Sequence, residues 1–125
     1  MPEIPKISEA EWEVMKIVWS RTSPCTANDI VDALGGIADW KPNTVKTLIN
    51  RLVNKKALGY KEQRRIYFYY PLVSKDECIK SETRSFAKRV FGGALKPMLV
   101  TFLQEEKLSS DEIEELKRIL EERQE

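Results

Sequence analysis

The sequence predicts a mainly α-helical chain with a small β-hairpin. A winged helix-turn-helix domain would occupy residues 1–73, and a three-helix C-terminal dimerisation region residues 74–125. Three observations carry this. Apolar residues recur at helical spacing in six stretches. Between Tyr60 and Tyr70 the period shortens to about two. The stretch from Lys41 to Lys56, KPNTVKTLINRLVNKK, divides into an apolar side and a polar side that holds no carboxylate.

Ser8 and Glu11 have the spacing of a capping box, with Ile7 and Trp12 placed as its hydrophobic staple, so the first helix starts there. Its apolar residues Ala10, Trp12, Val14, Met15, Ile17, Val18 and Trp19 cover more than one stripe. Glu9, Glu13 and Lys16 are left on a narrow wet edge, the pattern of a helix packed on two sides. The tryptophan pair reads as core. Arg21 to Cys25 is a turn or a very short strand. Thr26, with Asp29 three residues on, opens a short helix that carries Ile30, Val31 and Leu34 and closes at Gly35 and Gly36. A connector from Ile37 to Trp40 then leads into the polar-faced stretch. Two helices in this order form a helix-turn-helix with the recognition helix second; the long connector fits its winged variants.

In the recognition helix Pro42 stands where a first helical residue tolerates proline, and Lys41 before it is a poor cap. Val45, Leu48, Ile49, Leu52 and Val53 gather on one side. Asn43, Thr44, Lys46, Thr47, Asn50, Arg51 and Asn54 cover the other, which suits the major groove of DNA. An ordinary polar surface helix would look similar in isolation; the neighbouring segments weigh against it. YKEQRRIYFYY, from Tyr60 to Tyr70, is a β-hairpin with a polar turn at Glu62 to Arg65. Its tip holds Arg64 and Arg65, with Lys61 and Tyr67 close by, so as a wing it would reach phosphates or an adjacent minor groove. The candidate DNA-binding residues are therefore Lys41, Asn43, Thr44, Lys46, Thr47, Asn50, Arg51, Arg64, Arg65 and Tyr67.

Pro71 and Ser74 to Asp76 close the first domain. A helix follows from about Lys75 to Phe91, with Cys78, Ile79, Phe86 and Val90 as an intermittent apolar stripe, and Gly92 and Gly93 end it. ALKPMLVTFL supplies Leu95, Met98, Leu99, Val100, Phe102 and Leu103; Pro97 marks the start or a bend of that helix. Ser109 caps the last helix with Glu112, stapled by Leu108 and Ile113, and Ile113, Leu116, Ile119 and Leu120 form its stripe. Some fifty residues in three helices cannot enclose a core of their own, so these stripes are expected to meet a second copy of the chain. The candidate dimer contacts are Ile79, Phe86, Val90, Leu95, Met98, Leu99, Phe102, Leu103, Ile113, Leu116, Ile119 and Leu120.

A chain of 125 residues that is 42% hydrophobic and 33% charged belongs to the folded, soluble class. The net charge of +1 hides an uneven distribution: residues 41–75 hold 9 basic and 1 acidic side chains, while both flanking segments are net negative. A basic patch between acidic ends suits a surface that meets phosphates. An acidic protein partner on the same face is the competing reading. The absence of histidine removes the usual general base and the commonest zinc ligand, and no phosphate-cradling or nucleophile motif occurs. An enzyme is not expected, nor a metal or other cofactor. The dispersed acids Glu11, Glu13, Glu105 and Glu106 read as solvated surface. Cys25 and Cys78 read as free thiols in a reducing compartment; with no signal peptide and no bilayer-long apolar run, a cytoplasmic location without membrane insertion is expected.

Four segments in order, SEAEWEVMKIVW, DWKPNTVKTLINRLVNK, IYFYYPLV and LSSDEIEELKRIL, resemble the penicillinase and methicillin-resistance repressors (the BlaI/MecI/CopY type) over nearly the whole chain. The resemblance implies a homodimeric winged-helix repressor on a palindromic, double-stranded operator, controlling β-lactamase-type resistance genes or its own operon. It places the matching Asn43, Thr44, Lys46, Thr47 and Arg51 at bases and phosphates. It also implies a membrane-bound sensor with a zinc protease domain that triggers cleavage at an asparagine-phenylalanine bond in the helix after the double glycine. The matching bond here is Thr101-Phe102; this threonine, the nearby Pro97, and Lys41 in place of a serine are departures from the pattern. The cysteine-rich tail of the copper-responsive branch is missing, which speaks against copper sensing.

Overall fold

A computed structural model of the chain describes residues 4–37 and 39–123; Ala38, within the connector, lies outside them. Among the described residues six helices and one hairpin follow in the order α1 (Glu9–Ser20), α2 (Ala27–Leu34), α3 (Pro42–Asn54), β1 (Leu58–Gln63), β2 (Ile66–Pro71), α4 (Lys75–Phe91), α5 (Leu95–Glu105) and α6 (Ser110–Glu122). The chain forms two compact units, Met1–Thr83 and Arg84–Glu125, and the division falls inside α4.

In the first unit the local signals define the helix starts. The Ser8 hydroxyl accepts the Glu11 N–H at 3.2 Å while the Glu11 carboxylate accepts the Ser8 N–H at 2.9 Å. Thr26 and Asp29 repeat the exchange at 3.1 and 3.0 Å. Gly35 ends α2 with a right-handed φ of −59°, so this close needs no left-handed residue. α3 ends differently. The Lys56 N–H donates to the Val53 carbonyl at 3.0 Å and the Ala57 N–H to that of Leu52 at 2.9 Å, while Lys56 takes a φ of +66°. This is a Schellman close with lysine where glycine is usual.

The core draws Val14, Met15 and Val18 from α1, Ile30 and Leu34 from α2, Val45, Leu48, Ile49 and Leu52 from α3, and Leu58 and Tyr69 from the hairpin. Trp12 and Trp19 pack edge to face at 5.4 Å, and the Trp19 indole N–H donates to the Val73 carbonyl at 3.0 Å. Cys25 pairs as a single bridge with Tyr69, so the expected turn or short strand adds one rung beside β2. The hairpin itself is longer than its sequence pattern suggests. Glu62 pairs with Tyr67 and Gln63 with Ile66, so the turn is only Arg64 and Arg65, at φ +53° and +68°. Two left-handed residues are what a two-residue type I′ turn demands, and neither is Asn or Gly.

Glu11 corrects the reading of the dispersed acids as solvated surface. It is the buried polar or charged side chain among the described residues, 1% exposed, and Lys55 from the end of α3 reaches it. Burial of a carboxylate requires such a partner.

In the second unit Gly92 and Gly93 leave α4 at φ +62° and +86°, a backbone open to glycine. α5 begins at Leu95, two residues ahead of Pro97, whose missing N–H falls among those that a first helical turn leaves unbonded anyway. Phe86 stacks on Phe102 with centroids 6.0 Å apart, and Met98 is buried. Ser109 and Glu112 cap α6 reciprocally at 3.1 and 2.9 Å. Among the described residues no helix is long and apolar enough to cross a membrane.

Candidate nucleic-acid interface

α3 separates its side chains by chemistry. Val45, Leu48, Ile49 and Leu52 are buried and Val53 is half-buried, while Asn43, Thr44, Lys46, Thr47, Asn50, Arg51 and Asn54 are all exposed. Lys41 precedes the helix as an exposed residue that makes no side-chain cap bond. Among the described residues no carboxylate pairs with Lys41, Lys46, Arg51, Arg64 or Arg65; the ion pairs are made by other residues. These cations are thus uncompensated on one unit's surface, a condition that favours an anionic partner.

One polar group on this face is already engaged. The Thr47 hydroxyl donates to the Asn43 carbonyl at 2.9 Å, so its proton is used inside the helix. It presents lone pairs and a methyl group, the latter suited to apolar contact with a thymine methyl.

The wing stands beside α3. Tyr67 stacks on Tyr60 with centroids 4.7 Å apart, and the buried Tyr69 lies beneath them. Among the described residues, clefts open between hairpin and helix. One, of about 360 Å³, is lined by Thr26, Asn28, Lys46, Asn50, Arg65 and Tyr67 among others. The second, of about 320 Å³, is lined by Asn50, Val53, Asn54, Tyr60, Tyr67 and Tyr69. The first unit therefore brings Lys46, Asn50, Arg65 and Tyr67 around one groove. Thr26 and Asn28 join them, although the sequence marked Thr26 only as a cap and Asn28 not at all. Nothing local signals this, because α2 approaches α3 and the wing through the core.

In the second unit Val90, Leu95, Phe102, Leu103, Ile113, Ile119 and Leu120 are exposed, as is Ile79 at the end of the first unit. Phe86, Leu99 and Leu116 are half-buried, and Met98 is covered within the subunit. Thr101 and Phe102 lie inside α5, where the Thr101 hydroxyl donates to the Pro97 carbonyl at 2.9 Å.

Residues 7–122 match the family model described as penicillinase repressor. The chain is 38% identical to the penicillinase repressor of Bacillus licheniformis over 122 residues, 98% of this chain and 94% of that protein. It is also 38% identical to the methicillin resistance regulatory protein MecI of Staphylococcus aureus over 115 residues, 92% of this chain and 93% of that one. Among solved structures, the monomeric form of Bacillus licheniformis BlaI in complex with the blaP half-operator superposes with a TM-score of 0.53 at 35% identity. That match covers 62% of this chain and 93% of the other.

Proposed function

The chain belongs to the penicillinase repressor family, and on that premise we propose that it is a homodimeric transcriptional repressor. It binds a palindromic operator through the major groove and controls β-lactamase-type resistance genes or its own operon. The family is one of transcriptional repressors and not of enzymes. The observation that carries the reading is the wholly exposed, carboxylate-free face of α3 set beside an arginine-tipped wing.

In this reading residues 1–73 are the DNA-binding domain and residues 74–125 the dimerisation domain. Lys46, Asn50 and Arg51 meet base edges or phosphates, with Asn43, Thr44 and Thr47 alongside; Lys41, Arg64, Arg65 and Tyr67 hold the backbone. The exposed apolar side chains of the second unit, from Val90 to Leu120, supply the dimer contact, because single-subunit packing leaves them in water. Paired recognition helices would then enter successive major grooves about 34–36 Å apart. A half-operator complex of BlaI supports the use of one subunit per half-site.

Induction would follow loss of the dimer. A membrane-bound sensor protease, acting directly or through a second enzyme, would cut at Thr101-Phe102. Since this bond is inside α5, the helix must open locally before a protease can take it as an extended strand.

Fluorescence anisotropy with duplex from the protein's own promoter region and with random duplex tests the reading, alongside sedimentation of the free protein. Tight, salt-sensitive binding that prefers the promoter duplex, by a dimer, is the expected result. Absence of binding at low salt would instead favour an acidic protein as the partner of this face.

A further inference from the structure

We propose that Glu11 and Lys55 are positioning residues for the DNA-reading surface: the buried carboxylate of α1 holds the junction between α3 and the wing, so that both meet the duplex in one orientation. This rests on the operator reading above and adds to it a pair of residues outside the contact face.

Among the described residues capping boxes occur at Ser8/Glu11, Thr26/Asp29 and Ser109/Glu112. Asp29 and Glu112 perform their capping from exposed positions, whereas Glu11 is 1% exposed. Capping therefore does not require burial. What distinguishes Glu11 is the second bond that its oxygen accepts, from the Lys55 ammonium, which also donates to the Lys6 carbonyl at 2.9 Å. Lys55 thus ties the end of α3 to the start of α1 and to the segment before it, across 44 residues of sequence.

The place of this tie matters. Lys55 is the C-cap of α3, Lys56 turns the chain through a left-handed conformation, and β1 starts at Leu58. The Ala57 carbonyl also accepts the Leu72 N–H at 2.9 Å, closing the base of the wing on the same junction. A rotation at Lys55 would move α3 relative to the wing, and the cleft that Lys46, Asn50, Arg65 and Tyr67 share would change shape. Phosphate contacts tolerate such a movement; base contacts, which need directed hydrogen bonds, do not.

The test uses the full chain and the duplex that the wild-type protein enriches from a random library, with unselected duplex as reference, over a salt series. Glu11→Gln keeps an acceptor for the Ser8 N–H, since glutamine serves in capping boxes, and removes the charge. Lys55→Met removes the ammonium and keeps the stem. Each substitution is expected to lower the preference for the enriched duplex about tenfold, leaving affinity for unselected duplex and its salt slope unchanged. The double substitution is expected to do no more than either single one, and Lys55→Arg to restore most of the preference. The proposal is overturned if neither variant alters the preference. It is equally overturned if Lys55→Met weakens both duplexes alike and flattens the salt slope by about 0.9 while Glu11→Gln does nothing, since Lys55 would then touch phosphate directly. Thermal melts establish folding. Should Lys55→Met unfold because it leaves the buried Glu11 carboxylate unpaired, Glu11→Gln carries the test, since the lysine it releases is 36% exposed and can turn to water. If the wild type enriches no sequence, the operator reading fails and the positioning role fails with it.

Discussion

Lys46 and Arg51 stand on the exposed face of α3 with no carboxylate partner among the described residues, so their removal leaves the core intact. Lys46→Ala and Arg51→Ala are each expected to weaken operator binding by about 1–3 kcal/mol where they discriminate bases, with little change in melting temperature. Anisotropy titration against matched and mismatched operators checks this. Glu11, being buried, acts on stability as well as on position. Burial pushes its carboxyl up, but the bonds from Lys55 and Ser8 outweigh burial and hold it below the ordinary 4.5. Asp29 is held below 3.8, and Glu112 below 4.5, chiefly by the backbone N–H groups of Thr26 and Ser109. A depressed folded value means that the stabilisation is complete above about pH 4.5 and is lost as pH falls through the folded values. Urea unfolding midpoints are therefore expected to fall below pH 4.5, and Glu11→Gln to flatten that fall. At neutral pH Glu11→Ala is expected to cost about 1–3 kcal/mol, because Lys55 is partly solvated and can turn to water.

Among the elements the wing carries the clearest conflict between stability and use. Arg64 and Arg65 occupy left-handed positions that cost a non-glycine residue about 1 kcal/mol each, and that Asn-Gly would fill without strain. A costly pair of arginines at the hairpin tip is sensible where their charge is needed. The double substitution Arg64→Asn with Arg65→Gly is expected to raise stability by about 1 kcal/mol or more while weakening DNA binding and flattening its salt slope by up to about 1.8. Thermal melts and a salt series measure the two effects on one sample. The wing's other end shows a different constraint. A Cβ on Gly59 would approach the Tyr70 ring across the hairpin to 2.7 Å, so the close approach of that ring depends on glycine.

For the whole molecule, the two units divide the work: the first builds a core and a basic face, and the second leaves a broad set of apolar side chains in water. Ile119 and Leu120 are 45% and 56% exposed on α6, so replacing both with Glu leaves the first unit's core untouched. That variant is expected to sediment as a monomer and to lose about 10² to 10⁴ in operator affinity while keeping its half-site preference. A dimer that survives the substitution would place the subunit contact elsewhere.

How much of this was legible in the sequence follows from the range of each interaction. Capping boxes, the period of apolar residues and the amphipathic split of α3 are properties of neighbours within four residues, so the six helices, the hairpin and the exposed polar face could be read directly. Arg64 and Arg65 disguised a two-residue turn because they are not the residues that such a turn favours. Tertiary packing alone decided that Glu11 is buried while Asp29 and Glu112 are not, that Lys55 reaches it, and that Thr26 and Asn28 border the groove of Asn50 and Tyr67. Those arrangements join residues far apart in the chain, and desolvation, which selects which charges must pair, exists only once the core has closed around them.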